Sequence, residues 1–428
     1  MTARAAIFRY LDLEVTDTTL MGHYELDGRH FHERITFSTT GPLTAPAPRA
    51  LADLWFLLAG LSYYKAGAAT TIDLGTTPIS QAGRALLRAA VTDGLGEFAY
   101  RNALDLTDVD IIGGVRTSPV EVSLDETSVL TPFGGGIDSI VTVMNLNENI
   151  TQKLFVMSPP SGLFEPLEAA AAITQKSIVR ATRSLDPQIL TTDPDVFNGH
   201  VPVTAMVTLL AAIAAVADGS GGVVMSNEHS ASVPNLSVAG REVNHQWSKS
   251  LVAEELIAAA VAERIGSQFT VASFLRDRSE LWVARAFSEL RQYHAVFRSC
   301  NRAFAQDPAR RSATWCANCD KCLFIALILA PFMTRAELAG IFDAEPLAHP
   351  DLTSQLTALV GQGSQRKPFE GVGDPDECSV ALQAVAESDE WKNVLFLAAL
   401  ARRAPSSSTL PQQLEPQGVS RAPAAWFR

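Results

Sequence analysis

Ser128-Val129-Leu130-Thr131-Pro132-Phe133-Gly134-Gly135-Gly136-Ile137-Asp138-Ser139-Ile140 is the stretch that decides the fold of this chain. A β-branched, apolar run enters three glycines, and an apolar stretch to Leu146 with helical spacing follows. Strand, glycine turn and helix start together make an anion site. Glycine lets the backbone approach an oxyanion without a Cβ clash. The free N–H groups and positive end of the helix then face the charge. Ser139 adds a hydroxyl, and Asp138 can hold a metal ion or orient the loop. The bland alternative is an ordinary glycine turn between a buried strand and a helix.

The stretch is not a Walker A loop, because no Gly-Lys-Ser/Thr follows. It also fails the dinucleotide pattern, since Ser139 stands at the last glycine position. It resembles the PP-loop of N-type ATP pyrophosphatases, usually Ser-Gly-Gly-x-Asp-Ser. Gly134 to Ser139 fill those six positions, with Gly134 in place of the family's serine. The resemblance implies ATP held by Phe133, Gly134, Gly135, Gly136, Asp138, Ser139 and, beyond the next strand, Ser158.

Outward from this loop, strand and helix alternate. Strands are expected at Ser128–Phe133, Lys153–Ser158, Gln188–Thr192, Gly222–Ser226 and Phe269–Ser273. Helices are expected at Ser139–Leu146, Glu165–Arg180, Val203–Val216 and Ser248–Ile265. Such alternation predicts an α/β fold with a parallel, doubly wound sheet, whose ligands bind beyond the carboxyl ends of its strands. We divide the chain into an N-terminal α+β domain (1–125), an ATP-binding α/β domain (126–273), a helical region (274–403) and a disordered, Pro/Ser/Gln-rich tail (404–428).

The chain has 428 residues, 47% of them hydrophobic, enough for two or three domains with sizeable cores. Its net charge of −12 argues against sequence-independent nucleic-acid binding. The longest uncharged apolar stretch, Val201–Ala217, contains Pro202 and many alanines and reads as a buried helix, not a membrane span. With no secretory signal in the opening residues, the expectation is a cytoplasmic protein. Four of five cysteines lie between residues 300 and 322. Cys316, Cys319 and Cys322 make two overlapping C-x-x-C steps, and Cys300 is the natural fourth ligand. Thiolates at that spacing reach one tetrahedral ion, which makes a structural Zn²⁺ the expectation. An iron–sulfur cluster uses the same ligands, and reduced core cysteines are the bland alternative.

A PP-loop with one cysteine ahead of C-x-x-C-x-x-C is similar to the 7-cyano-7-deazaguanine synthases, which lack the long N-terminal unit seen here. The whole chain more closely resembles the MurL family of ATP-dependent UDP-N-acetylmuramoyl-L-alanyl-L-glutamate epimerases. That likeness rests on six blocks in order: Gly60–Lys65, Gly94–Phe98, Phe133–Ser139, Ser226–Ser230, Trp315–Cys322 and Lys367–Glu370. It implies adenylation of the substrate's glutamate by ATP and Mg²⁺, release of pyrophosphate, inversion at the α-carbon and hydrolysis to AMP. Proton carriers are expected among Glu228, His229, His245, Lys367, Glu370 and Cys378, with His229 first because its ordinary pKa suits transfer near neutrality. The resemblance implies a UDP-muramoyl dipeptide as substrate, with no nucleic-acid or membrane partner expected. A deazaguanine-synthase-like or amide-forming ligase is the alternative, and a thiol-dependent tRNA-modifying adenylase is the third reading.

Overall fold

The computed structural model describes residues 3–190, 196–300, 302, 312, 314–362 and 367–427. Ten strands share one sheet: β1 (Ile7–Val15), β2 (Thr19–Leu26), β3 (Arg29–Ser38), β4 (Thr71–Asp73), β5 (Asp110–Ile112), β6 (Asp125–Pro132), β7 (Thr151–Ser158), β8 (Ile178–Leu185), β9 (Ser220–Met225) and β10 (Thr270–Ser273). Their order across the sheet is β10-β9-β6-β7-β8-β3-β2-β1-β4-β5. The five strands from β10 to β8 are mutually parallel. Counted from β6, they run third-second-first-fourth-fifth, so the winding reverses between β6 and β9. That is the switch point of a doubly wound sheet, where a crevice opens at the strands' carboxyl ends.

Alternate residues of these strands feed two cores, as the two-residue strand period requires. Leu130, Phe155, Val223 and Val271 face one core. Val129, Leu154, Val156, Val224 and Ala272 face the other. Helices α1 (Pro46–Ala59), α2 (Ile137–Asn145), α3 (Glu165–Thr174), α4 (Val203–Ala217), α5 (Leu251–Ile265), α6 (Glu280–Ser288), α7 (Asp320–Leu329) and α8 (Pro375–Glu387) cover both faces. Residues of α1, α4 and α5 pack in the first core. Residues of α2, α3, α6, α7 and α8 pack in the second. Helix α4 is apolar all round because α1 lies on one side of it and β9 on the other. Among the described residues, no helix is long and apolar enough to cross a membrane.

Three sequence expectations are corrected. First, β8 occupies Ile178–Leu185, where a helix was expected to run on to Arg180. The helix stops because Gln175 turns left-handed at φ 55°. The charged residues that look helical are strand residues with acidic partners: Arg180 pairs with Glu168, and Arg183 with Glu33. A single 3₁₀ turn, Pro187–Ile189, lies where the strand Gln188–Thr192 was expected, and Thr191 and Thr192 lie outside the described residues. Second, the sheet does not break near residue 125. Strand β3 joins β8 antiparallel, with Ser38 opposite Arg180, and the first core spans both sides of that seam. Third, the segment after residue 403 is packed, not disordered. Trp426 is buried, the Asn147 amide donates to the carbonyls of Ala425 and Phe427, and the Ser279 hydroxyl donates to the Gln413 carbonyl.

Candidate functional site

The glycine loop caps the carboxyl end of β6, beside the switch point. Gly135 has φ +70°, and a Cβ there would sit 3.2 Å from Leu167 Cα, so only glycine fits without strain. Gly136 is extended and caps α2. A Cβ on Gly134 would meet nothing within 4 Å, so the absence of the family's serine is no steric necessity. The Ser139 hydroxyl donates to the Gly136 carbonyl and tightens the turn. From the far side, the Arg298 N–H donates to the Gly135 carbonyl at 3.1 Å.

Asp138 opens the first turn of α2, and its Oδ1 is shielded from solvent with no hydrogen-bond partner. Glu228, beyond β9, is buried, and its Oε2 is likewise unpartnered. Burial and the nearby Glu228 push Asp138 up to about 6. Burial, then Glu228 and Asp138, push Glu280 well above the usual carboxylate range. Burial with Asp374 raises Glu377 to about 8. Lysines answer these acids. Burial pulls Lys249 down, but Glu228, Asp138 and Glu280 outweigh it and leave it raised. Lys321 acts on both Asp138 and Glu280. Lys367 is held low by burial, against Asp374 and Cys378. Desolvated carboxylate oxygens without hydrogen-bond partners are costly to ionise, and a cation or ligand among them relieves that cost. A hard divalent ion takes oxygen ligands of this kind, so Asp138 and Glu228 fit Mg²⁺.

The structure therefore brings Asp138, Glu228, Lys367 and Cys378 into one electrostatic neighbourhood, with His229 at its edge, within reach of Glu228 and Asp374 but lining a separate cavity. The His229 ring packs on Gly418 and lines a cavity of about 600 Å³ with Arg241, Trp247 and Arg276. Neither Asp138 nor the glycine loop lines that cavity. Burial, then Arg276, lowers the His229 pKa. Cys378 is buried on α8, where burial and then Glu377 hold it as a neutral thiol. Ser158 ends β7 and accepts a hydrogen bond from Arg180 at 2.8 Å. It lines a mainly apolar cavity of about 380 Å³ with Pro159, Phe164, Leu167 and Met206. Leu167 also touches the glycine loop, so cavity and loop adjoin.

The four expected metal ligands converge. Cys300 and Cys316 sulfurs are 3.6 Å apart, and Cys322 lies 3.4 Å from both Cys316 and Cys319. Four sulfurs around one ion at the usual zinc–thiolate length would be about 3.8 Å apart. Cys319 caps α7 through its sulfur, so the set is built into a helix start. Hydrogen bonds from Cys319 and Cys322 hold the Cys300 thiol far below its ordinary value. That chemistry and spacing fit zinc.

Some site residues were not evident in the sequence. Glu280 and Glu377 sit in the opening turns of ordinary helices and give no local signal. Lys321 lies inside the cysteine motif, which drew attention to its neighbours instead. Glu97 and His200 were also missed. Glu97 stands in the glycine-punctuated block 94–98, and that spacing was the only available clue.

A doubly wound α/β sheet with a glycine loop at its switch point, and an acid–lysine pocket beside it, defines an α/β enzyme class. Comparisons narrow the class. Residues 1–274 match the family model described as the MurL N-terminal domain, and residues 296–415 match the MurL C-terminal domain. The chain belongs to the MurL family. It is 36% identical over 397 residues to a protein of Salinispora tropica, covering 90% of this chain and 85% of that one. It is 37% identical over 398 residues to a Micromonospora protein, covering 90% and 87%. A Xanthomonas oryzae pv. oryzae relative is 34% identical over 356 residues, covering 82% and 78%. All three are named UDP-N-acetyl-alpha-D-muramoyl-L-alanyl-L-glutamate epimerase. No solved structure matches.

Proposed function

We propose that this chain is an isomerase that inverts the terminal L-glutamate of UDP-N-acetylmuramoyl-L-alanyl-L-glutamate, a step of peptidoglycan precursor synthesis, at the expense of ATP. The observation that carries the ATP-dependent reading is the unpartnered pair Asp138 Oδ1 and Glu228 Oε2, set at the start of α2 among three lysines. Such a pocket suits a polyanion with its Mg²⁺. The α2 N-terminus and loop N–H groups would cradle the departing pyrophosphate as a PP-loop does. The apolar cavity beside Ser158 and Leu167 suits the adenine ring. Glutamate adenylation makes physical sense, because removing a proton beside a free carboxylate would create a dianion. An acyl-adenylate is neutral at that group and withdraws electrons, so a side-chain base can take the α-proton. Cys300, Cys316, Cys319 and Cys322 would hold a structural zinc. ATP and a UDP-linked precursor imply a cytoplasmic setting.

The test is incubation with ATP, Mg²⁺ and UDP-MurNAc-L-Ala-L-Glu in deuterated water. The expected products are AMP and pyrophosphate, with D-glutamate after acid hydrolysis and deuterium at its α-carbon. ADP as product, or inversion without solvent isotope, would defeat the proposal. AMP formed with an amide product and no deuterium would favour the ligase reading.

A further inference from the structure

An inversion needs proton transfer at two faces of one carbon, and the strap formed by residues 367–371 reaches the acid–lysine pocket through Lys367. Through Pro368, Phe369 and Glu370 it also reaches a second group, in which Glu97 and His245 meet. Glu97 is buried at the start of the short helix Gly96–Arg101. Its Oε1 accepts from Arg101 Nε at 2.5 Å, and its Oε2 lies 2.5 Å from His245 Nδ1. His245 follows a hairpin, Leu236–Val238 with Arg241–Val243, turned at Ala239 and Gly240 by positive φ. Asn235 anchors that hairpin twice. Its carbonyl oxygen Oδ1 accepts the His245 N–H at 2.8 Å, and its Nδ2 donates to the Pro368 carbonyl at 2.7 Å.

The strap thus touches both groups of residues. At its start, Lys367 senses Glu228 and Glu280. At its end, Glu370 senses His245, Lys321 and Glu97, and the Lys321 ammonium donates to the Gly371 carbonyl. Between them, Phe369 packs on Tyr100 and under the Arg101 guanidinium. No described residue bonds His245 Nε2. The His200 ring stands 4.3 Å from the His245 ring, and burial, then His245, pushes it down to about 4, so it stays neutral.

We propose that His245 Nε2 is the proton carrier for one face of the glutamate α-carbon, with Glu97 as its positioning residue; this rests on the epimerase reading above. A carboxylate bound to Nδ1 fixes the proton there and leaves Nε2 as the base. In the step it serves, the Cα–H bond breaks, a bond forms from Nε2 to hydrogen, and the electron pair moves into the activated acyl group. Glu97 balances the imidazolium that results. A proton reaches the opposite face from an acid of the Asp138 pocket. Glu97, His200 and His245 also offer donor atoms within 4.8 Å of one another. A metal is the poorer explanation. An ion bound to both Glu97 Oε2 and His245 Nδ1 would need more room than 2.5 Å, and Arg101 holds the other Glu97 oxygen.

The experiment compares the wild type, His245→Gln and the isosteric Glu97→Gln in deuterated water, with the L-Glu and D-Glu forms of the UDP-muramoyl dipeptide. For His245→Gln, inversion should fall at least about 100-fold, while AMP formation stays within about threefold. Deuterium exchange with retained configuration should survive for one epimer only. For Glu97→Gln, kcat for inversion should fall roughly 10- to 100-fold with unchanged KM for ATP, and Glu97→Asp should recover part of it. Parallel loss of AMP formation and inversion would overturn the assignment. So would wild-type inversion in either variant, exchange retained for both epimers, or a metal ion that the wild type holds and His245→Gln loses. If the wild type itself yields no AMP or no D-glutamate, the functional reading fails instead.

Discussion

Two polar centres meet along the 367–371 strap, and they differ in how their charges are satisfied. Around Asp138, several buried acids meet lysines, and at least two carboxylate oxygens have no partner. Around Glu97, both oxygens are engaged, one by Arg101 and one by His245. An unsatisfied cluster stores electrostatic cost that a bound cation and polyanion relieve. A satisfied dyad needs no ligand to hold its shape and can keep a histidine in one tautomer between turnovers. The first arrangement suits binding and activation, and the second suits proton movement.

The sharpest way to break this comparison is to remove the unsatisfied carboxylate. Asp138→Asn should lower AMP formation roughly 1,000-fold, measured by nucleotide chromatography, while the protein stays folded. Its stability should also reveal the stored cost. A carboxyl raised to about 6 when folded favours the protonated form, so wild-type stability falls as pH rises from the ordinary carboxylate value through about 6. Thermal melts without Mg²⁺ should show Asp138→Asn more stable than wild type at pH 7, with the advantage vanishing toward pH 4. Added Mg²⁺ should narrow the gap.

The next largest effect lies at the cysteine set. On the zinc reading, Cys322→Ser should lower the protein's metal content and cost on the order of several kcal/mol, read by elemental analysis and thermal unfolding. Arg298, two residues before Cys300, holds the Gly135 carbonyl, so nucleotide protection of the loop in hydrogen exchange should fall with it. A smaller effect separates two adjacent glycines. Gly135→Ala forces a left-handed alanine against Leu167 and should cost about 1–2 kcal/mol. A Cβ at Gly134 meets nothing within 4 Å, so AMP formation by Gly134→Ser should stay within about twofold of wild type.

The glycine loop and cysteine set were legible because each is written in neighbouring residues, where spacing alone fixes geometry. The parallel winding was legible from alternating strand and helix patterns. Strand β8 was not, since Arg180 and Arg183 look like helix residues until their partners, Glu168 and Glu33, are seen. The Glu97–His245–His200 group was legible only in pieces: His245 stood among the expected proton carriers and Glu97 within the block 94–98, but His200 gave no signal and nothing local ties the three separate segments together. The packed C-terminal segment looked disordered by composition, because prolines and serines do not reveal that Trp426 finds a buried seat.

The seam between β3 and β8 has a consequence during synthesis. Ser38 and Arg180 meet across it, 142 positions apart. The first three strands leave the ribosome long before their neighbour exists, and until then β3 presents a bare hydrogen-bonding edge. Such an edge invites pairing with another chain. Cutting the protein after residue 125 would uncover the matching edge of β8, so neither piece should stay monomeric in solution.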